Sequence, residues 1–184
     1  MSDIAAPHTE RMKRSVANLK DEFNGIRTGR ASASLFDKIR VECYGDKTPL
    51  AQVATISVPE ARLVVIQPWD KALISEIEKA LQKSELGLNP SNDGKVIRLA
   101  IPPLTEERRK ELVKQSKTLA EQSRVAIRNI RRDANEALKK AQKNGEITED
   151  ELKTAETALQ KTTDTFIQDI NKILEDKEKE ILEG

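Results

Sequence analysis

The chain has 184 residues, of which 34% are charged, 37% are hydrophobic and only 3% are aromatic. These proportions exclude one large compact core, because a typical globular domain is richer in apolar and aromatic side chains. They favour long helices, each of which needs only a narrow apolar stripe. The formal net charge of +1 gives no reason, by itself, to expect a nucleic-acid partner.

Several further classes of protein are excluded by particular residues. The longest aliphatic run, residues 63–66, is far too short to span a bilayer, so we expect no membrane association. The first ten residues lack the apolar segment of a signal peptide. A single cysteine, Cys43, fits a reducing cytoplasm, and a single histidine, His8, excludes a metal site with several histidine ligands. We therefore expect a cytoplasmic protein that has no metal or other cofactor.

Residues 2–27 are predicted to form the first helix. From Met12 onward its apolar residues are four, three, four and three positions apart, which is the heptad spacing of packed helices. Ser2 is the candidate cap at its start, and Gly29 lies just beyond its predicted end.

The pattern changes after residue 30 to that of a small mixed domain. Alternating or continuous apolar runs predict strands at 39–43, 53–58, 63–66 and 96–101. The second of these strands is expected to end before Pro59, and a turn is expected at 44–46. Residues 86–94 are predicted to form a long loop.

A short helix is predicted over residues 70–84 of the same domain. Asp70 is its candidate cap, and Trp69 is expected to pack against Ile74 at its start. The expected buried positions of this helix are Leu73, Ile74, Ile77 and Leu81.

Two long helices follow. Thr105 is predicted to begin the second, which continues without proline to Asn144-Gly145, a length of about 60 Å at about 1.5 Å per residue. Its predicted buried positions are Leu112, Ser116, Leu119, Ser123, Ile127, Ile130, Ala134, Leu138 and Ala141. The third begins with a capping box formed by Thr148 and Glu151. Its predicted buried positions are Leu152, Ala155, Leu159, Thr162, Phe166, Ile170, Ile173 and Ile181.

Three heptad seams in one chain favour an antiparallel three-helix bundle. Because the first helix must return to the other two, the middle segment must be an insertion. We predict an α+β fold in which residues 1–29 and 105–184 form an elongated bundle and residues 30–104 form a small β/α/β domain. Two linkers then permit hinge motion. The expected hinge residues are Thr28, Gly29, Arg30, Ala31, Pro102, Pro103, Leu104 and Thr105.

The near-neutral total hides a separation of charge. Residues 105–144 contain 12 Lys and Arg against 6 Asp and Glu, a net charge of +6. Residues 145–184 contain 5 against 12, a net charge of −7. Because a helix advances by about 100° per residue, most cations of the second helix fall on one face. They are Lys110, Lys114, Lys117, Arg124, Arg128, Arg131, Arg132 and Lys139.

An almost purely basic face that is rich in arginine favours contact with phosphate, which a guanidinium group binds in a planar, bidentate way. Because stacking residues are nearly absent, we expect contact with the backbone of structured RNA or DNA rather than with single-stranded bases. The alternative is a solvated face whose charges pair with the acidic third helix. His8 and Cys43 are expected to be structural, and nothing in the sequence indicates an enzyme or a catalytic residue.

Four motifs then point to a known family. They are I-R-T-G-R-A-S at 26–32, L-G-L-N-P at 86–90, I-P-P-L-T-E-E-R-R-K-E-L at 101–112 and R-V-A-I-R-N-I-R-R-D-A-N at 124–135. Because it carries these four motifs in this order, the chain resembles bacterial ribosome recycling factors over essentially its whole length. The resemblance implies binding to the large ribosomal subunit after termination. With elongation factor G and GTP, the ribosome would then split into subunits and release mRNA and deacylated tRNA.

The resemblance also assigns roles to particular parts of the chain. The bundle would touch ribosomal RNA, the smaller domain would face elongation factor G, and the protein would act as a monomer that hydrolyses nothing. The residues implied to grip the RNA backbone are Arg132, Arg131, Arg128, Arg124 and Lys117. Arg30 would either add an RNA contact or stabilise the hinge. The alternative function is a coiled-coil scaffold that binds a protein partner through its charged helix faces.

Overall fold

The computed structural model describes residues 3–84 and 86–183. In order, the elements are α1 (Ala6–Asn24), β1 (Arg40–Cys43), β2 (Asp46–Pro49), β3 (Ala54–Glu60), β4 (Leu63–Pro68), α2 (Ile74–Lys83), β5 (Pro90–Asn92), β6 (Ile97–Ala100), α3 (Glu106–Lys143) and α4 (Glu149–Glu183). The chain divides into two compact units. The helical unit comprises the residues up to Phe23 and Lys110–Glu180, and the second unit comprises Asn24–Arg109 and the residues from Ile181 onward.

In the helical unit, α1 and α4 each run antiparallel to α3. Arg11 on α1 forms an ion pair with Asp133 at 3.1 Å. One turn later, the Ser15 hydroxyl lies 3.3 Å from that of Ser123, so residue numbers rise along α1 as they fall along α3. A tight turn at Gly145, where φ is +76°, reverses the chain between α3 and α4. The predicted α+β fold with a three-helix bundle is confirmed.

The predicted seam of α3 is buried except at one position, whereas most of the predicted seam positions of α4 are only half-buried. On α3, Ala120 is buried and Leu119 is only half-buried. On α4, Thr163 is buried and Thr162 is half-buried. A strict seven-residue repeat drifts around a straight helix of 3.6 residues per turn, so the buried stripe moves to a neighbouring position along long elements.

The first helix is shorter than the predicted 2–27 and spans Ala6–Asn24. Ser2 lies outside the described residues, and Asp3 accepts a hydrogen bond from the Ala5 N–H at 3.1 Å where the helix begins. The helix stops before Gly25, which has poor helix propensity, so Gly29 is not its cap.

The other long helices begin as predicted. Thr105 Oγ1 accepts a hydrogen bond from the Arg108 N–H at 3.1 Å, just before α3. The capping box of α4 is complete, because Thr148 Oγ1 accepts from the Glu151 N–H at 3.1 Å and Glu151 Oε1 accepts from the Thr148 N–H at 3.2 Å. These bonds satisfy N–H groups that the first turn of a helix leaves without partners.

The second unit contains two antiparallel sheets. β1 and β2 form a hairpin whose two-residue turn, Tyr44-Gly45, has φ values of 49° and 91°. Two positive φ values are the geometry of a type I′ turn. The other sheet has the strand order β3-β4-β6-β5. The buried core of the whole unit includes Phe36, Leu50, Ile66, Ile77 and Leu99.

Two strands of this unit were not predicted. β2 is polar, and β5 lies inside the segment that was predicted to be a loop. Each is held by pairing with a stronger neighbour, β2 with β1 and β5 with β6. Because such pairing depends on a partner elsewhere in the chain, a short polar strand leaves little trace in its own sequence.

The predicted end of the second strand at Pro59 is wrong, because β3 continues through it to Glu60. β3 is an edge strand, and its register with β4 shifts between Ser57 and Glu60. A proline has no N–H to donate, so sheets tolerate it on edges and at irregularities of this kind.

The start of the short helix also differs from the prediction. Asp70 accepts a hydrogen bond from the Ala72 N–H and caps a single 3₁₀ turn that precedes α2. The expected packing of Trp69 is wrong, because its side chain is 67% exposed. Its indole N–H donates to Thr55 Oγ1 at 2.9 Å, which fixes the ring across the outer surface of β3.

Candidate nucleic-acid interface

One face of α3 carries the basic stripe, which consists of Lys110, Lys114, Lys117, Arg124, Arg128, Arg131, Arg132 and Lys139. The stripe runs along the helix because the buried positions of α3 fix its rotation. Leu112, Ile127 and Ala134 point into the bundle, so residues about a third of a turn away face outward. At about 1.5 Å per residue, the stripe from Lys110 to Lys139 is roughly 45 Å long.

Six of the eight cations of the basic stripe are exposed. Within residues 3–84 and 86–183, no acceptor lies within hydrogen-bonding distance of the Lys117 ammonium or the Arg132 guanidinium. Both side chains can therefore meet an anionic ligand without first breaking a bond to the protein.

The other two cations, Arg124 and Arg131, are half-buried at the border with α4. Arg124 donates through Nη1 to Asn171 Oδ1 at 3.0 Å, and Arg131 donates through Nη1 to Gln160 Oε1 at 3.0 Å. Both acceptors are neutral amides, which orient each guanidinium group without cancelling its charge. The alternative in which the acidic third helix neutralises the stripe does not describe these two arginines.

One acidic side chain, Glu121, lies within the basic stripe. Its Oε2 accepts from Arg124 Nε at 3.0 Å, and its Oε1 accepts from Arg128 Nη1 at 3.4 Å. The hydrogen bond from Arg124, with the charges of both arginines, holds the pKa of the Glu121 carboxyl below its usual value. The carboxylate is therefore ionised at neutral pH.

Asn135 also lies on the stripe, although nothing in its sequence position marks it out. Its Oδ1 and the Nε of Arg131 are both buried and have no hydrogen-bond partner in the part of the chain that the structure describes. A buried polar atom without a partner is costly, because it has lost water and gained nothing in return. The R-R-D-A-N motif contains both residues, but only their burial distinguishes them from other polar positions on α3.

The first predicted hinge segment, residues 28–31, has no regular secondary structure. Thr28 is buried, and Gly29 has φ of +82°, a backbone conformation that side chains disfavour. Arg30 is exposed, and the Ala31 N–H donates to the Ala61 carbonyl at 2.7 Å.

The second predicted hinge segment, residues 102–105, is also irregular. Pro102 and Pro103 are exposed, whereas Leu104 is buried. Immediately before them, the Ile101 N–H donates to the Arg62 carbonyl at 2.8 Å. Because Ala61 and Arg62 are adjacent in the turn between β3 and β4, both segments are held at the same point of the second unit.

A second exposed feature is aromatic and lies in the second unit. Tyr44 is 79% exposed at the tip of the β1–β2 hairpin, and its hydroxyl donates to Asp70 Oδ2. Trp69, which is also exposed, neighbours Asp70 in the chain. The polar tips of both rings are therefore bound within the protein, while the rings face solvent.

The structure also bears on the other classes of site. Among the described residues, no group of three His, Cys, Asp or Glu side chains is placed to hold a metal ion. Cys43 is half-buried on β1. None of the described helices is long and apolar enough to cross a membrane.

Comparison with known proteins identifies relatives along nearly the whole chain. The family model "Ribosome recycling factor" matches residues 19–182. The ribosome-recycling factor of Treponema denticola is 67% identical over 175 residues, covering 95% of both chains. That of Treponema pallidum strain Nichols is 59% identical over 181 residues, covering 98% of this chain and 99% of the relative.

Solved structures give the same result. A solution structure of the ribosome recycling factor matches with a TM-score of 0.83 and 48% identity, covering 99% of this chain and 97% of the other. A second match has a TM-score of 0.69 and 47% identity, with 97% of each chain covered. It is described as models for the T. thermophilus ribosome recycling factor and the E. coli elongation factor G bound to the E. coli post-termination complex.

Proposed function

The chain belongs to the ribosome recycling factor family, and from this premise we propose that the basic stripe of α3 is its grip on the large ribosomal subunit. The observation that carries the proposal is the placement of the cations. Arg132 and Lys117 are exposed and have no acceptor among residues 3–84 and 86–183, and Arg124 and Arg131 are oriented beside them by neutral amides.

The chemistry of this face suits ribosomal RNA. Guanidinium groups bind phosphate through two parallel hydrogen bonds, and a row of them matches the repeated charge of a nucleic-acid backbone. Contacts to phosphate release counterions, so binding should weaken steeply as salt is added. Tyr44 and Trp69, the two exposed aromatic rings, lie in the second unit and not on the stripe, which supports backbone contact rather than base stacking at the stripe.

Elongation factor G is the second proposed partner. The related T. thermophilus factor has been described with elongation factor G bound to the post-termination complex. We infer that the translocase acts on the small domain, residues 30–104, and that GTP is hydrolysed by the translocase. On this proposal the chain is a monomeric, cytoplasmic, non-enzymatic factor that requires no cofactor.

The linkers carry the proposed mechanical step. Residues 28–31 and 102–105 connect the small domain to the bundle, and both are held at the β3–β4 turn through Ala31 and Ile101. A force applied to the small domain would therefore be transmitted to both linkers from the β3–β4 turn. α3, which is uninterrupted over 38 residues, would pass the displacement to the subunit interface, so that the ribosome splits and mRNA and deacylated tRNA leave.

Ribosome splitting is the direct test of this function. Light scattering by post-termination ribosomes should fall when the protein is added with elongation factor G and GTP, because separated subunits scatter less than whole ribosomes. Omission of either factor, or replacement of GTP by a non-hydrolysable analogue, should prevent the fall. No change of scattering in the complete mixture would overturn the proposed function.

Charge reversal separates the RNA grip from a scaffold role. The double variant Arg131→Glu and Arg132→Glu should bind isolated large subunits at least tenfold more weakly, with a shallower salt dependence, because phosphate contacts are lost. Its melting temperature should stay close to that of the native chain, since Arg132 is exposed and Arg131 makes one bond to Gln160. If subunit binding survives and a protein complex is lost instead, the coiled-coil scaffold is correct.

A further inference from the structure

Glu121 is an acidic residue in the middle of a surface that is otherwise built to bind an anion. It is exposed, and it lies on the same face of α3 as Lys117 and Arg128. An exposed carboxylate at this position reduces the positive potential of the stripe. The proposed RNA grip gives no reason for a negative charge there.

The contacts of Glu121 resemble those expected of a phosphate. Its two oxygens accept from different arginines, Oε2 from Arg124 Nε at 3.0 Å and Oε1 from Arg128 Nη1 at 3.4 Å. A phosphate group would use the same donors, because it also presents several anionic oxygens to guanidinium N–H groups. Glu121 and an RNA phosphate therefore compete for the same atoms.

Glu121 is not needed to hold Arg124 in place. The Arg124 side chain is only 17% exposed, and its Nη1 donates independently to Asn171 Oδ1 at 3.0 Å. Arg128 differs, because its side chain is 44% exposed and Glu121 is its only acceptor among the described residues. Neutralising Glu121 would leave Arg124 oriented and would free Arg128.

We propose that Glu121 is an internal competitor that limits the affinity of the factor for ribosomal RNA. In the free protein its carboxylate occupies Arg124 and Arg128, and a phosphate must displace it to reach them. This inference rests on the proposed RNA grip of α3 and adds a residue that opposes it. A factor that must leave the ribosome in every cycle benefits from such a limit, because excess affinity would trap it on the released subunit.

The direction in which Glu121→Gln changes the affinity for large subunits shows whether Glu121 competes with phosphate or supports the arginines. If Glu121 competes, Glu121→Gln should tighten binding to isolated large subunits by about threefold to tenfold, the range expected when one or two exposed ion pairs no longer oppose binding. The salt dependence should also become steeper, because more cations then exchange counterions for phosphate.

The matched control is Glu136→Gln, an exposed glutamate on α3 outside the stripe that makes no ion pair with the described residues. It changes the net charge by the same amount, so any larger gain in Glu121→Gln reflects direct competition. Combining Glu121→Gln with Arg128→Ala completes a double-mutant cycle. The gain should shrink when Arg128 is absent, because the carboxylate then has one fewer donor to occupy.

Each result has a defined meaning. Weaker binding by Glu121→Gln would show that the carboxylate supports the arginines, and equal binding by the Glu121 and Glu136 variants would show that only net charge matters. Either outcome would overturn the proposal that Glu121 competes with phosphate for Arg124 and Arg128. If the Arg131→Glu and Arg132→Glu variant also binds subunits normally, the RNA grip itself fails, which separates that failure from the failure of this inference.

Discussion

At the scale of the residue, Asp93 shows how one side chain can organise a turn. Its Oδ1 accepts from the Lys95 N–H at 2.9 Å and the Val96 N–H at 3.0 Å, and its Oδ2 accepts from Arg98 at 2.8 Å. The two backbone donors, Val96 first, and the Arg98 guanidinium hold the pKa of the Asp93 carboxyl well below its usual value of 3.8. These bonds connect the turn to the start of β6.

We expect Asp93 to contribute to the pH dependence of stability. Because its pKa is lower in the folded chain, its contribution is present above the unfolded value of 3.8 and is lost as pH falls further. The difference in stability between the native chain and Asp93→Asn should therefore shrink as pH decreases below about 3.8. Urea unfolding at a series of pH values measures this difference, and one that stayed constant with pH would contradict the assignment.

Sequence patterns reveal where the charged side chains of α3 lie, but not which side chains they contact. The sequence predicted the cations of the basic stripe, because their positions repeat with the period of the helix. It did not reveal that Arg124 and Arg131 meet the amides of Asn171 and Gln160. Those contacts depend on how α4 aligns with α3, and the polar residues of a helix surface carry no marker of their partners.

At the scale of the element, helices were predicted better than strands. The capping box of α4 was predicted from four residues, because capping is local. β2 and β5 were missed, since a short polar strand is stabilised by its neighbour in the sheet and not by its own pattern. β3 passes through Pro59 because it is an edge strand, which only the strand order reveals.

Removing the capping box tests the element that closes the α3–α4 turn. Thr148→Ala should destabilise the chain by about 1 kcal/mol, because the Glu151 N–H loses its acceptor and the first turn of α4 frays. Thr157→Ala is the matched control on the same helix. Its hydroxyl donates only to the Lys153 carbonyl at 3.0 Å, and alanine is the better helix former.

Chemical denaturation of the two threonine variants gives the comparison. Thr157→Ala should be neutral or slightly stabilising, whereas Thr148→Ala should lower the denaturation midpoint. Equal midpoints for the two variants would show that the capping box contributes nothing to stability.

For the whole molecule, the proposed mechanism requires the two predicted linkers to pass a force from the small domain to the bundle. Pro102 and Pro103 are exposed, and the ring of a proline holds its φ angle at about −65°. A linker that contains two prolines is therefore stiffer than one of ordinary residues. The proposed mechanism needs this stiffness, because a flexible linker would absorb the displacement.

Replacing both prolines should separate binding from splitting. The double variant Pro102→Gly and Pro103→Gly leaves the basic stripe unchanged, so its affinity for large subunits should match that of the native chain. Splitting with elongation factor G and GTP should slow several-fold, because glycine widens the conformations that the linker adopts. Light scattering measures the rate, and unchanged splitting would exclude a mechanical role for these prolines.

Local sequence patterns are enough to predict the three long helices, the buried seam of α3, the basic stripe and the family. Helical periodicity and capping depend on residues no more than four positions apart, so they can be recognised in the sequence. Other features appear only in the folded chain: the pairing of β2 and β5, the exposure of Trp69, the amide partners of Arg124 and Arg131, and the two arginines that Glu121 contacts. These features depend on which distant or facing side chains meet, and packing alone settles that.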